Sequence, residues 1–509
     1  MVLLRIGEIK MKTLKNKETL LNVIFSLILQ ICNIVSTFII PKIILLYFGS
    51  NVNGLISSLA QFLSYIGLVE GGVTGVITAS LYKPLVNRDN EKISSILNTA
   101  NNFYKKIGVI FIVYSVLLGI LYPIFMNTKF SFIYVFSLTL ILSLNLLIQY
   151  MYSLTLKTLL NADKKVYIVS IAQIVMIILN LILVIICVKI YPNIHVLKLI
   201  SGILFLLQPF VYSRYIKKNY KLNKQAKIDN ELLKNRWNGF AINIAAFIHF
   251  STDITILTIF TDLATVSIYS VYALVTTGLR TIINSIANGI NPTIGHALAK
   301  GDEKEIVDKV NIYEYITDLL VFFSFSIAGL LITPFVMLYT KGITDANYYQ
   351  PIFGVLLLIS EALYLLKLPH LNLAYAANKF KEITKPAFIE ALLNIVISIL
   401  LVNKYGLIGI AIGTIVGMLY RMIFHVYFTK SIIKSYSSWS FYSKLLIFGI
   451  STFIGILICI LLIPNVEYTI LNWGIHLIIY SIIMLIIYFI ISLIFYKKEL
   501  SFFKKYIKK

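Results

Sequence analysis

Long apolar runs separated by short polar breaks dominate the chain. The stretches 166–188, 322–335 and 475–495 contain no Asp, Glu, Lys or Arg. About 20 apolar residues in a helix cross the hydrocarbon core of a bilayer. Backbone groups in lipid must be satisfied internally, so spans are helices or closed barrels. Runs of this length and continuity exceed the roughly 10 residues of a barrel strand. The pattern predicts fourteen spans, near 20–46, 52–80, 107–126, 131–156, 166–188, 194–216, 238–260, 264–295, 312–340, 350–376, 386–402, 406–429, 443–463 and 472–496. The expected fold is therefore an all-α polytopic membrane protein.

Composition agrees: 59% of the 509 residues are hydrophobic and 13% charged. The net charge of +23 would suit nucleic acid, but its distribution points to a membrane. Placing the breaks on alternate sides puts 36 of the 45 Lys and Arg residues on one side and 5 on the other. The excess identifies the cytoplasmic face. Both termini are expected there, with the basic loops against anionic lipid. No partner nucleic acid is expected. The N-terminal 19 residues are charged and the first span is too long for a cleaved signal peptide. Cys32, Cys187 and Cys459 are isolated in apolar runs, which reads as packing, not a disulfide or metal framework.

A weak internal repeat runs through the chain. At an offset of 213, Leu85 meets Leu298, Asp89 meets Asp302, Ile93 meets Ile306 and Asn98 meets Asn311. At 214, Ala162 meets Ala376, Lys165 meets Lys379, Leu179 meets Leu393 and Asn180 meets Asn394. Six spans precede the repeat, so the halves share one orientation and form two pseudo-symmetric six-helix lobes. The expected divisions are 1–218 (spans 1–6), 219–236 (a basic cytoplasmic linker), 237–435 (spans 7–12) and 436–509 (spans 13–14 with a basic tail). Paired lobes suit alternating access. Exterior loops of about ten residues or fewer leave no room for a catalytic domain, and no P-loop or HExxH motif is present. The expectation is a transporter, not an enzyme.

The six-plus-six-plus-two layout carries a GDxxK-like loop after span 8 (Gly301, Asp302, Glu303, Lys304), with NADKKVY at 161–167 and ANKFKEI at 377–383. In these features the chain resembles the polysaccharide flippases of the MOP superfamily, with the O-antigen and capsule (Wzx-type) branch the nearest. The resemblance implies a polyprenyl-pyrophosphate-linked oligosaccharide, on an undecaprenyl carrier, as substrate. It also implies membrane lipids as surroundings, and a polysaccharide polymerase and glycosyltransferases as pathway partners. Lipid II flippases share fourteen spans; MATE drug exporters usually have twelve. A lipid II flippase, an ion-coupled drug exporter and a membrane glycosyltransferase or polymerase stand as alternatives. Long exterior loops, which the last would need, are absent.

Polar residues at membrane depth are costly and face a cavity or a partner. Thr277, Arg280, Asn284, Asn288 and Asn291 share one face of span 8 and read as a wet cleft. Asn22, Ser26, Gln30, Asn33 and Thr37 share a face of span 1, for which helix packing is nearly as good an account. Arg280 would offset the charge of a pyrophosphate with bidentate geometry, while amides and hydroxyls bind sugar. The substrate-binding candidates are thus Arg280, Asn284, Asn288, Thr277, Gln30, Asn33, Lys42 and Glu70. Lys42 can equally snorkel to the interface. Gly67, Gly71 and Gly75 beside Glu70 read as small-xxx-small packing, as do Gly409, Gly413 and Gly417. A Glu361–Arg421 ion pair is expected. No cofactor is expected beyond a coupling ion. Asp253, Glu390, Asn394 and Thr414 offer hard oxygens for Na⁺, or a carboxylate for H⁺; the resemblance to lipid II flippases implies a sodium site on the same three helices. Asp253 has His249 and Arg280 as alternative partners.

Overall fold

The structure, a computed structural model, describes residues 2–126, 128–229, 231–232, 240–463 and 467–500, with side chains from residue 17 onward except 240–243, 245–246, 249–250 and 288. The readings of Asn288 and His249, and the linker beyond residue 232, lie outside the described residues. The chain is helical throughout its described apolar runs. α1 is Val2–Ser64, α2 Gly67–Glu70, α3 Val73–Asn87, α4 Asn90–Phe125 and α5 Phe132–Ile148. A π-turn over Gln149–Ser153 leads into α6, Leu154–Ala162; α7 is Val166–Ile190, α8 Ile194–Leu204 and α9 Leu207–Asn219. α10 is Phe240–Phe260, α11 Leu263–Lys300, α12 Glu303–Tyr339, α13 Pro351–Leu366 and α14 Leu368–Ala376. α15 is Phe380–Tyr405, α16 Leu407–Ile432, α17 Ser438–Leu462 and α18 Ile470–Phe495.

Twelve helices among the described residues are long and apolar enough to cross a membrane. They account for the fourteen predicted passes as follows. The first, Lys17–Glu70, has 54 residues, about twice a single pass. Gly49 breaks it (φ 80°, ψ 175°), a conformation glycine adopts readily, so two passes follow one another. α10 supplies the remaining pass; its described apolar stretch is Ser251–Phe260.

The second predicted span, 52–80, is a broken helix. Gly71 and Gly72 both have positive φ (57° and 79°) and separate α2 from α3. The small-xxx-small reading of Gly67, Gly71 and Gly75 is thereby corrected: Gly71, with its neighbour Gly72, turns the chain, and a Cβ on Gly75 would meet nothing within 4 Å. Gly409, Gly413 and Gly417 do mark close packing. A Cβ there would meet Leu401, Ser398 and Glu390 of α15 at 2.7, 2.2 and 3.0 Å. Small residues let membrane helices approach and gain dispersion contacts.

The chain divides into two compact units, Met1–Ile244 and Ala245–Lys509. Unit 1 packs Ile77, Leu81, Ile96, Tyr104, Phe111 and Leu159 into its core. In unit 2, α17 and α18 pack Phe448, Met484 and Tyr488 against Tyr315, Ile327 and Leu331 of α12. Outward residues remain apolar, as lipid requires: Leu461 is 80% exposed and Ile133 77%.

The repeat is written in the backbone. Arg88 and Gly301, 213 positions apart, both take left-handed φ (54° and 74°) after α3 and α11. The next residues, Asp89 and Asp302, cap α4 and α12: Asp89 accepts from the Lys92 N–H at 2.9 Å, and Asp302 from Lys304 and Glu305 N–H at 3.0 and 3.3 Å. Lys164 and Asn378, 214 apart, are also left-handed (60° and 57°) and open the turns into α7 and α15.

Candidate functional site

In unit 2, polar side chains on the face of α11 meet α13. Arg280 Nη1 donates to Glu361 Oε1 at 2.7 Å, and Nη2 reaches Thr277 Oγ1 at 3.4 Å. Both members of the ion pair are partly exposed, at 20% and 14%. Asn284 is half-buried and makes no side-chain hydrogen bond among the described residues; Thr277 is exposed. The face predicted from helical spacing therefore presents a guanidinium already held by a carboxylate. The Glu361–Arg421 expectation is corrected, because Arg421 takes a different acid.

That acid is Glu390. Arg421 Nη1 donates to Glu390 Oε2 at 2.7 Å with both side chains buried, and Arg421 Nε donates to His425 Nε2 at 2.9 Å. The four ion-site candidates therefore split. Asp253 of α10 and Thr414 of α16 meet, with Thr414 Oγ1 donating at 3.2 and 3.3 Å to the two carboxylate oxygens. Tyr269 adds a donor to Asp253 Oδ2 at 2.9 Å. Thr252, the neighbour of Asp253 in sequence, has a buried hydroxyl with no hydrogen-bond partner among the described residues. Glu390 instead neutralises Arg421, and Asn394 Oδ1 accepts from Ser398 of its own helix at 3.1 Å. Its repeat counterpart Asn180 accepts from Ser201 of α8 at 2.7 Å, so the two asparagines do different work.

In unit 1, Glu70 accepts from Thr74 and, at 3.4 Å, from Tyr150; Thr74 also meets Tyr104 at 2.7 Å. The αL glycines after Glu70 place this cluster at the break between α2 and α3. Lys42 and Gln30 are half-buried and Asn33 is exposed. Asn22, on the same helical face, is structural: its amide donates to Lys164 O and accepts from Tyr167 N–H, both at 2.8 Å, tying α1 to the turn before α7.

No protein-family model and no curated protein sequence matches the chain. Solved structures do. The lipid II flippase MurJ in an inward closed conformation superposes with a TM-score of 0.72 at 17% identity, over 94% of this chain and 99% of that one. An inward-facing multidrug resistance MATE transporter of the MOP superfamily gives 0.61 at 13%, over 82% and 96%. The eukaryotic MATE transporter AtDTX14 gives 0.60 at 15%, over 84% and 98%. The fold is of the MOP type.

Within this MOP-type fold, unit 2 also holds a buried ionic cluster that sequence spacing did not reveal. Glu314 of α12 accepts from Lys444 Nζ at 2.7 Å and Tyr436 OH at 2.8 Å, and lies 3.6 Å from His370 Nε2. His370 Nδ1 meets Thr429 Oγ1 at 2.9 Å. Lys444, counted among the basic loop residues, is thus buried and ties α17 to α12. The one available signal was the i, i+4 pair Glu314–Asp318. Lys367 is buried beside Met418 Sδ (3.4 Å) and over the Tyr364 ring (4.6 Å). The Gly301–Lys304 loop is a structural joint: Glu303 accepts from the Ser435 N–H at 2.8 Å, which holds its carboxyl below the usual range.

Proposed function

We propose that the protein is a flippase that moves a polyprenyl-pyrophosphate-linked oligosaccharide repeat unit from the inner to the outer leaflet of a bacterial plasma membrane by alternating access. The observation that carries this reading is the extent of the likeness. The flippase match covers 94% of the chain against 82% and 84% for the exporters. The excess over the first exporter is close to the length of α17 and α18 together. The flippase reading assigns that excess to α17 and α18.

In this mechanism the pyrophosphate competes with Glu361 for the Arg280 guanidinium. Substrate binding then exchanges one partly exposed pair for another, and the released carboxylate becomes the signal that a phosphate has bound. Asn284, Asn288 and Thr277 hydrogen-bond sugar hydroxyls, while the polyprenyl tail stays in the bilayer. A coupling cation, Na⁺ or H⁺, is held by Asp253 with Thr414; Glu390 contributes by fixing Arg421. Glycosyltransferases supply the substrate and a polymerase consumes the product.

The test is complementation. The wild-type gene is placed in strains lacking either the repeat-unit flippase or the lipid II flippase, and surface polysaccharide and viability are scored. Rescue of surface polysaccharide alone is expected; rescue of the lipid II strain alone moves the substrate to lipid II. Arg280→Ala abolishes rescue at normal protein abundance, and Arg280→Lys restores part of it, because charge survives but the fork is lost. Full export by Arg280→Ala overturns the binding role.

A further inference from the structure

The stretch following α9 is more than a tether. Over 220–229 it is clamped to α4 by side chains. The Asn98 amide donates to the carbonyls of Asn223, Lys224 and Ala226 at 3.2, 3.1 and 3.0 Å. Ser94 Oγ accepts from Asn223 N–H, and Thr99 Oγ1 from Asp229 N–H, each at 2.9 Å. Tyr220 donates to Asp163 Oδ2, fixing the near end to the turn after α6. This segment, α4, α9 and the π-turn enclose a cavity of roughly 610 Å³, within the size range of small-ligand sites.

Its lining has an unusual charge pattern. Lys105, Lys217, Lys221 and Lys224 contribute, and no Asp or Glu does. None of the four lysines has an ion-pair partner among the described residues. The acids near the segment are engaged elsewhere. Asp229 pairs with Lys92 at 2.9 Å, and that ammonium holds its carboxyl below the usual range. Asp163 takes the Tyr220 hydroxyl and Asp89 caps α4. Asn101 adds an amide that makes no side-chain hydrogen bond among the described residues. Four ammonium groups around one concavity repel each other, so the site is stabilised by an anion.

The neighbouring surface says which anion. Deeper along α4, Val109 and Val113 are 56% and 57% exposed, and along α9 Phe210 is 63% exposed. These apolar residues continue from the cavity toward the membrane interior on both helices. The π-turn brings Tyr152, also exposed, and Met151 to the rim; π-turns recur at functional sites. Met151 fits because Gly108 leaves room: a Cβ there would sit 3.0 Å from the Met151 sulfur. A cationic cup that grades into a lipid-facing apolar strip matches an amphiphile with a phosphate head and acyl tails.

We propose that unit 1 carries a binding site for an anionic phospholipid, with its headgroup phosphate among Lys105, Lys217, Lys221 and Lys224 and its acyl chains along α4 and α9. The site is separate from Arg280 and does not depend on the transport reading. Basic pockets between membrane helices on the cytoplasmic side bind anionic headgroups, each lysine contributing about five-fold in affinity.

The experiment uses the purified full-length protein in nanodiscs or detergent, titrated with phosphatidylglycerol and phosphatidylcholine and read by native mass spectrometry. Wild type retains phosphatidylglycerol preferentially. Lys217→Gln with Lys221→Gln lowers that retention by about 25-fold, and adding Lys105→Gln and Lys224→Gln abolishes the preference. Far-UV circular dichroism and thermal unfolding stay near wild type, since none of these side chains holds the fold. A control removes Lys381, Lys385, Lys430 and Lys434. Equal loss in the control means diffuse charge and overturns the proposal. So does displacement of the lipid by millimolar free pyrophosphate, which makes it an ion site. A polyprenyl pyrophosphate that binds more tightly than phosphatidylglycerol and is lost in the same variants assigns the cavity to transported substrate, and also overturns it. An equal preference for phosphatidylcholine does the same.

Discussion

A carboxylate inside a membrane lobe persists only beside a cation, a donor or a proton. Glu314 and Lys444 satisfy that requirement for each other at 2.7 Å, at 0% and 5% exposure. Asp318, one turn on, is fully buried and has no hydrogen-bond partner among the described residues. Removing the ammonium therefore leaves the Glu314 carboxylate without its cation. Lys444→Met should cost about 3–5 kcal/mol, the usual penalty for breaking a buried pair. Glu314→Gln with Lys444→Met should cost clearly less than the sum of the single changes, because no charge is then stranded. Thermal unfolding of the four proteins in detergent measures the cycle; additive effects would refute the pairing. Such partnerships were illegible in the sequence for a physical reason. Spacing along one helix reveals which residues share a face, and that sufficed for Thr277, Arg280 and Asn284. It does not reveal which helix comes to that face. Glu361 was assigned to Arg421, yet the fold gives it to Arg280 and gives Arg421 to Glu390.

At the scale of elements, glycine shows how much a local pattern can promise. Three glycines at a spacing of four look alike on α16 and around Glu70, but their surroundings differ. Gly413→Ala would press a Cβ to 2.2 Å from Ser398 Oγ and 2.8 Å from its backbone nitrogen. Separation of α15 from α16 should cost about 1–3 kcal/mol and lower the unfolding temperature. Gly75→Ala meets open space and should be neutral or stabilising. Gly71→Ala, at φ 57°, should cost about 1–2 kcal/mol through backbone strain alone. If Gly75→Ala destabilises as much as Gly413→Ala, the assignment of the α2–α3 region as a turn is wrong. The loops between elements were more legible than the elements' contacts. Asp89 and Asp302 cap helices, and a capping aspartate leaves a local signature that survives divergence. Asn378 is a residue type that favours the left-handed region but its counterpart Lys164 is not, so the backbone adds a conformational match to the flanking pairs Ala162–Ala376 and Lys165–Lys379.

For the whole molecule, two expectations remain to be measured, orientation and coupling. The lysine and arginine bias predicts that both ends are cytoplasmic. Single cysteines at the exposed Asn219 and Asn347 should therefore differ on intact cells, with Asn347→Cys labelled by an impermeant thiol reagent and Asn219→Cys protected. The reverse pattern would invert the topology. Coupling is the more demanding case. The proposed flipping is to be tested against an imposed ion gradient, and the geometry narrows the residues to change. Asp253 is buried, and it holds hydroxyls of Thr414 and Tyr269 from two other helices of unit 2. Three oxygens from three helices suit a small hard cation or a proton. Glu390 is buried as well but spent on Arg421, so it should support structure more than ion binding. In vesicles with an imposed Na⁺ or H⁺ gradient, wild type should respond to one of them. Asp253→Asn should fall to the rate seen without a gradient while unfolding at nearly the wild-type temperature. Glu390→Gln should unfold at a lower temperature, because Arg421 loses its partner, and should retain whatever gradient response its folded fraction allows. An Asp253→Asn protein that still follows the same gradient would remove Asp253 from the coupling step, whatever its effect on rate.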